Sequence, residues 1–210
     1  MSETVIRQVT QGIWTFSRPF ARFGFIPFGG RSTAIKLASG DVWVLASTPL
    51  EPETKETIDK LGPVKYIIGP DAESSHWQPE FQKAYPDAKV IGVQPLIKKK
   101  EGVVSFAGAY GADPEGTKYG YEPEVRVYFS GFKNKDVAFL HGPSKTLIQA
   151  DLLLNLPCNE QPDGAAFKRV LWKLGTDKPC TVAEWDFDRI IPCHGDVIET
   201  AYKWFLDGNH

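Results

Sequence analysis

The 210-residue sequence predicts an α/β protein built as a four-layer αββα sandwich, two mixed β-sheets flanked by helices. Three observations carry this. Each half of the chain opens on β-type hairpins and continues with alternating helices and strands, which builds two sheets rather than one. No Gly-x-Gly-x-x-Gly follows the first strand, so a doubly wound dinucleotide-binding sheet is excluded on its own terms. A chain of this length with 42% hydrophobic residues can bury one sizeable core, and residues 1–210 read as a single domain.

The elements follow in order. From Ile13 to Phe28, aromatic residues are broken by Pro19, Gly24 and Pro27 and closed by Gly29-Gly30, the pattern of a strand, an aromatic loop and a return strand. Two β-type runs, 33–37 and 42–45, flank the hairpin signal Ser39-Gly40-Asp41. A helix is expected over 52–61, with Pro52 at its start, acids in its first turn and Gly62-Pro63 at its end. The apolar run 64–68 fits a buried strand. A helix at 78–84, a strand at 89–92 and a short helix at 95–100 come next. Residues 102–123, rich in Gly, Tyr and Asp and without periodicity, read as a loop packed through Phe106, Tyr110, Tyr119 and Tyr121. Strands resume at 125–129, 137–140 and 146–150. The last third is expected to hold helices at 165–174, 182–185 and 197–206 and a strand at 189–192.

Charge and composition exclude several functions. Lys and Arg number 24 against 26 Asp and Glu, a net charge of −2, so the basic surplus of a nucleic-acid binder is absent. No run approaches the roughly 18 apolar residues of a membrane helix. Met1-Ser2-Glu3-Thr4 shows no basic region ahead of an apolar stretch. Three cysteines without CxxC spacing read as reduced thiols, and the expectation is a cytoplasmic protein. No Gly-x-Ser-x-Gly elbow is present, which argues against a serine hydrolase. Cys193 precedes His194 directly, and neighbouring residues on a strand face opposite sides, so Cys193 reads as a buried thiol rather than a nucleophile.

Chemistry is expected where the few histidines and one misplaced acid sit. His76 and His194 each follow a strand, His141 lies in the turn Leu140-His141-Gly142-Pro143-Ser144, and His210 ends the chain. Asp151 ends an apolar strand, where a carboxylate costs several kcal/mol unless it is paired, hydrogen-bonded or bound to a metal.

The order of hairpins, the strand end Ala150-Asp151-Leu152-Leu153 and the segment Pro192-Cys193-His194-Gly195-Asp196 resemble the metallo-β-lactamase-fold superfamily of metallohydrolases, over nearly the whole chain. That superfamily carries His-x-His-x-Asp-His directly after a strand; in register this chain has Asp71-x-Glu73-x-Ser75-His76, and only the final histidine matches. The family's early aspartate falls in Leu45-Ala46-Ser47-Thr48, where no acid occurs, and its middle histidine after 125–131 is missing. The resemblance therefore implies that one metal of the usual pair has lost all its histidines. For the other metal, His76, Asp151 and His194 survive, with Ser75 in place of the aspartate.

Two imidazoles and a carboxylate suit one divalent ion with an open position, zinc ahead of non-haem iron. Glu73 or Asp71 would then be a further ligand or the general base. The implied activity is metal-assisted hydrolysis of an ester, thioester or lactone of a small apolar molecule. Phe16, Phe20, Phe23 and Phe25 would form an apolar lid over the substrate, with His141 at the cleft. Packing over a sheet end and turn chemistry are the alternatives for these residues. For the whole protein the alternatives are a metal-free binding protein that keeps the cleft, or an iron enzyme using the same ligands. The expected partner is a small-molecule substrate, with no nucleic acid and no membrane; the oligomeric state is left open.

Overall fold

Strands that bury both faces read as near-continuous apolar runs, and Val42–Leu45, Tyr66–Ile68, Val90–Val93 and Val137–Leu140 are such runs, all buried. In the computed structural model, which describes residues 4–19, 21–22, 26–27, 29–72, 78–129, 135–155 and 185–201, a seven-stranded mixed sheet forms first. Its strands are β1 (Val5–Thr10), β2 (Ile13–Arg18), β5 (Gly30–Lys36), β6 (Val42–Leu45), β7 (Val64–Gly69), β8 (Lys89–Val93) and β9 (Phe106–Tyr110), in that spatial order. The short strands β3 (Ala21–Arg22) and β4 (Ile26–Pro27) pair with each other. The second sheet is β10 (Val125–Phe129), β11 (Val137–His141), β12 (Thr146–Gln149) and β13 (Arg189–Pro192), in chain order. Both sheets mix orientations: β6 to β9 run parallel, as do β12 and β13, while the remaining pairs are antiparallel.

Alternate residues of each strand go to different cores. Ile35, Trp43, Leu45, Tyr66, Ile68, Ile91 and Val93 face the second sheet and meet Val137, Phe139, Ile148 and Ile191. Their neighbours Ala34, Val44, Ile67 and Val90 face outward and are covered by Ile58 of α1 (Pro52–Leu61) and Phe81 of α2 (Gln78–Ala84). A third helix, α3 (Gln94–Lys99), follows β8 directly and buries Leu96 in the inter-sheet core. The outer face of the second sheet buries Ala138, Leu147 and Ile190 under Ile198 and Ala201, with Trp185 and Phe187 beside them. The two-sheet sandwich with helices outside is thus the architecture expected from the sequence.

Several elements differ from expectation, each for a local reason. β1 extends the first sheet before Ile13; its residues are half-buried, as befits an edge strand. The loop expected over 102–123 contains β9, paired parallel to β8. Small residues hid this strand: a Cβ on Gly108 would lie 2.3 Å from the Tyr119 ring, so the position is reserved for that ring. The helix expected over 197–206 does not begin at Val197. Ile198 instead bridges Ile190 through N–H···O bonds of 3.0 and 2.9 Å in the two directions, and the helical state begins at Ala201. The helices expected at 165–174 and 182–185 lie outside the described residues, apart from Trp185, which is not helical. Among the described residues no helix is long and apolar enough to cross a membrane.

The two sheets interlock through aromatic rings. Phe139 meets Trp43 edge-on at 5.1 Å between centroids and Tyr110 at 5.7 Å, geometries that add to simple burial. Truncating the fully buried Phe139 to Ala is expected to cost about 3–5 kcal/mol. Urea unfolding at an unchanged m-value checks this; a loss below about 1 kcal/mol would show that the sheets do not depend on this contact.

Candidate metal centre

Parallel pairing gathers strand exits at one end of the sandwich. The chain leaves β6, β7, β12 and β13 on the same side, and Val137 N–H donates to Pro70 O at 2.9 Å, which joins the exit of β7 to the start of β11. Asp71, Asp136, Asp151 and His194 are the polar side chains delivered there.

Asp151 sits in a turn closed by a fully buried glutamine. Gln149 Nε2 donates to Leu153 O at 2.7 Å and its Oε1 accepts from Leu153 N at 3.1 Å, so the turn is stapled at both polar atoms of one amide. The backbone N–H of Asp151 donates to Asp136 Oδ2 at 2.6 Å, and Asp136 Oδ1 accepts from Val137 N at 2.7 Å. Burial first, then the charges of Asp71 and Asp151, drive the Asp136 carboxyl well above the usual carboxylate range.

His194 is held from both ring nitrogens. Its Nδ1–H donates to Gly29 O at 2.6 Å, and its Nε2 stands 3.2 Å from Asp151 Oδ1. Burial opposes the imidazolium, but the Asp151 hydrogen bond and charge, the Gly29 carbonyl and the Asp71 charge together lift the imidazole above its ordinary value. The segment carrying it is tied to Asn155: Asn155 N donates to His194 O at 3.2 Å, and Asp196 N donates to Asn155 O at 3.0 Å. Only glycine fits between them. Gly195 has φ +97°, and a Cβ there would fall 2.0 Å from Asn155 O.

The structure brings three of the expected site residues, Asp71, Asp151 and His194, to this end. Glu73 and His76 lie outside the described residues, as do Phe20, Phe23 and Phe25. Phe16 is described and fully buried on the helix-covered face of the first sheet, with Ala34, Val44 and Phe81; this is packing, not a lid. His141 ends β11, at the opposite end of that strand from Asp136, and its Nδ1 is 2.7 Å from Ser144 Oγ. Burial lowers its basicity, and it takes part in its own turn rather than in the cleft. Cys193 is buried against Arg31 O at 3.5 Å, and burial pushes its thiol up to about 12, so it is inert as a nucleophile. At the exit of β6, where the family's early acid is missing, Ser32 Oγ accepts from Ser47 N at 3.0 Å and Thr48 N at 2.9 Å.

Sequence reasoning missed Asp136, Gln149, Gly29 and Arg31. Asp136 follows Lys133-Asn134-Lys135 and looks like part of a solvated loop; the one signal was its place directly before the apolar run Val137–Leu140. Gly29 and Arg31 look like an ordinary glycine turn, since their partners lie more than 160 positions away.

Among the described residues no group of three or more His, Cys, Asp and Glu side chains is placed to hold a metal ion. Asp151 and His194 nonetheless fit two ligands of one. Ligand atoms about 2.0–2.1 Å from a tetrahedral zinc are about 3.3–3.4 Å apart, close to the 3.2 Å observed. A metal-binding imidazole also donates its other N–H to a carbonyl or carboxylate, the role Gly29 O plays here.

No protein-family model matches the sequence, and no curated protein matches it. Solved structures do. A metallo-β-lactamase from Hirschia baltica superposes with a TM-score of 0.65 at 10% identity, over 98% of this chain and 95% of its own. A metallo-β-lactamase from Erythrobacter litoralis gives 0.65 at 14% identity, over 99% and 96%. The flavodiiron core of Flv1 from Synechocystis sp. gives 0.68 at 12% identity, over 99% of this chain and 60% of that one. The chain has the metallo-β-lactamase fold. At such identities the likeness establishes the fold, and the chemistry of the site rests on this chain's own residues.

The raised imidazole sets a sign for stability against pH. A group whose basicity rises on folding stabilises the folded state below its unfolded value, about 6.5 for histidine, and loses that contribution as pH climbs through the folded value. Under excess chelator the melting temperature should therefore fall as pH rises above about 6.5, and His194→Ala should remove part of that fall. An identical pH profile in wild type and variant would show that the Asp151–His194 pair is not formed in solution.

Proposed function

We propose that this protein is a mononuclear metallohydrolase acting on an ester, thioester or lactone of a small organic molecule. The observation that supports it most is the pair itself: His194 Nε2 and Asp151 Oδ1 stand 3.2 Å apart while Nδ1–H is committed to the Gly29 carbonyl. This arrangement leaves Nε2 as the ligating nitrogen. His194 and Asp151 would hold the ion, with His76 as third ligand and Asp71 or Glu73 as fourth ligand or general base. When bound, a divalent ion supplies Lewis-acid polarisation of an acyl carbonyl and activation of water near neutral pH.

The chain's own residues have separable tasks. Asp136 keeps Asp151 in place through its backbone N–H, and Gln149 fixes the turn behind it. Asp71, 1% exposed, would take or return a proton at its carboxylate in this reading. Zinc is placed ahead of iron, and the same two-imidazole, one-carboxylate set also suits non-haem iron, so metal analysis decides between them. A metallo-β-lactamase of this fold from Pseudomonas aeruginosa, TM-score 0.60, is described in a mono-zinc form; one ion is thus compatible with the fold.

A second reading is supported by the raised basicity of His194, which closes an imidazolium–carboxylate pair without any metal. In that case the protein binds a small molecule and performs no hydrolysis.

Metal analysis of protein purified without chelator separates the two. The expected result is one zinc per chain, with hydrolysis of an aryl ester, an acyl thioester or a γ-lactone. Asp151→Ala should lose the zinc and lower kcat/KM by well over the roughly 100-fold that removing a mere outer partner costs. Iron in place of zinc would move the assignment to oxygen chemistry. No metal, with turnover absent, would support the binding protein.

A further inference from the structure

A buried arginine needs a reason, because its charge never leaves and its desolvation is expensive. Arg31 is fully buried on β5 and makes an unusual set of bonds. Its Nε–H donates to Ser17 Oγ at 2.9 Å. Its Nη1 donates to two backbone carbonyls, Pro192 O at 2.8 Å and Gly195 O at 2.5 Å. Those carbonyls bracket Cys193 and His194 on either side. The backbone of the same segment completes the grip: Gly29 O takes the Nδ1–H of His194, and Arg31 O takes the Cys193 thiol at 3.5 Å.

We propose that Arg31 is a positioning residue that clamps the Pro192–Gly195 turn so that His194 presents Nε2 toward Asp151. The inference rests on the reading of His194 as a functional imidazole and adds to it the part that fixes its direction. Four contacts from Gly29–Arg31 reach one four-residue turn of the opposite sheet. Each fixes a different degree of freedom. The two carbonyl bonds fix the Pro192–Cys193 and Gly195–Asp196 peptide planes, one peptide removed from the histidine on each side, and the Nδ1 bond sets the ring about its own axis. The fork of donors on one nitrogen plane does this in a way a lysine ammonium does not, since a point charge leaves the two planes free to rotate. The strand partner also contributes: Ser17 sits opposite Arg31 in the β2–β5 ladder, and its hydroxyl holds the guanidinium from behind.

A structural arginine would affect folding and nothing more; a clamp also affects the imidazole. The test therefore uses ¹⁵N-histidine-labelled protein under chelator, following exchange of the His194 Nδ1–H with solvent, and separately Co²⁺ titration. Arg31→Lys is the first variant. Because a change at a buried arginine can prevent folding, Ser17→Ala is measured in parallel; it removes only the support behind the guanidinium. The expected result is Nδ1–H exchange at least tenfold faster in the variants and Co²⁺ affinity weakened about 10–100-fold, the usual effect of an outer-shell partner. A His194 Nδ1–H as protected as in wild type in the folded variants, with unchanged Co²⁺ affinity, would overturn the clamp. If wild-type protein fails to bind Co²⁺, the metallohydrolase reading fails, while the exchange measurement still decides the clamp.

Discussion

Everything at the strand exits is arranged around one imidazole held by both of its nitrogens. Gly29 O fixes Nδ1–H from the first sheet, and Asp151 meets Nε2 from the second. An imidazole with a single partner can spin or swap tautomers; one with two opposed partners is confined to a plane and a proton arrangement. The contact also spans the sandwich, because Gly29 precedes β5 of one sheet and His194 follows β13 of the other. The core that holds the sheets face to face, with Trp43 against Phe139, is thereby also what keeps the two sides of the site in register.

The acids around this imidazole are spaced by what they do to backbone. Asp136 is spent on two N–H groups, one of its own strand and one of the Asp151 turn, and it is fully buried. Asp71 and Asp151 both make its ionisation harder. Two carboxylates close to a third form an electrostatic setting in which a cation, whether imidazolium or metal, is stabilised. For His194, burial opposes the charged form, while the Asp151 hydrogen bond and charge, the Gly29 carbonyl and the Asp71 charge raise its basicity.

The fold was legible in the sequence because its signals are local or periodic. Hairpin turns, the Pro52 helix start and the runs at 64–68 and 137–140 all depend on neighbours in the chain. β9 was hidden because Gly108 gives up its side chain to a distant tyrosine ring, and the start of the helix expected over 197–206 was set too early because Ile198 pairs with Ile190. For the site, Asp151 and His194 stood out as an acid on an apolar strand end and a histidine after a strand. Their supports did not: Asp136 borrows the look of a lysine-rich loop, and Arg31 and Gly29 act across more than 160 positions on partners that only folding reveals. Phe16 misled in the opposite way, since an aromatic-rich segment looks alike whether its rings cover a cleft or fill a core.

The central claim is that His194 Nε2 and the Asp151 carboxylate share one cation. Anomalous diffraction at the zinc edge from crystals grown with zinc tests it directly. The account predicts a single peak lying between those two groups, with the Nδ1–Gly29 contact kept. A zinc-saturated crystal with no peak there, and the imidazole still closed onto Asp151, would contradict it.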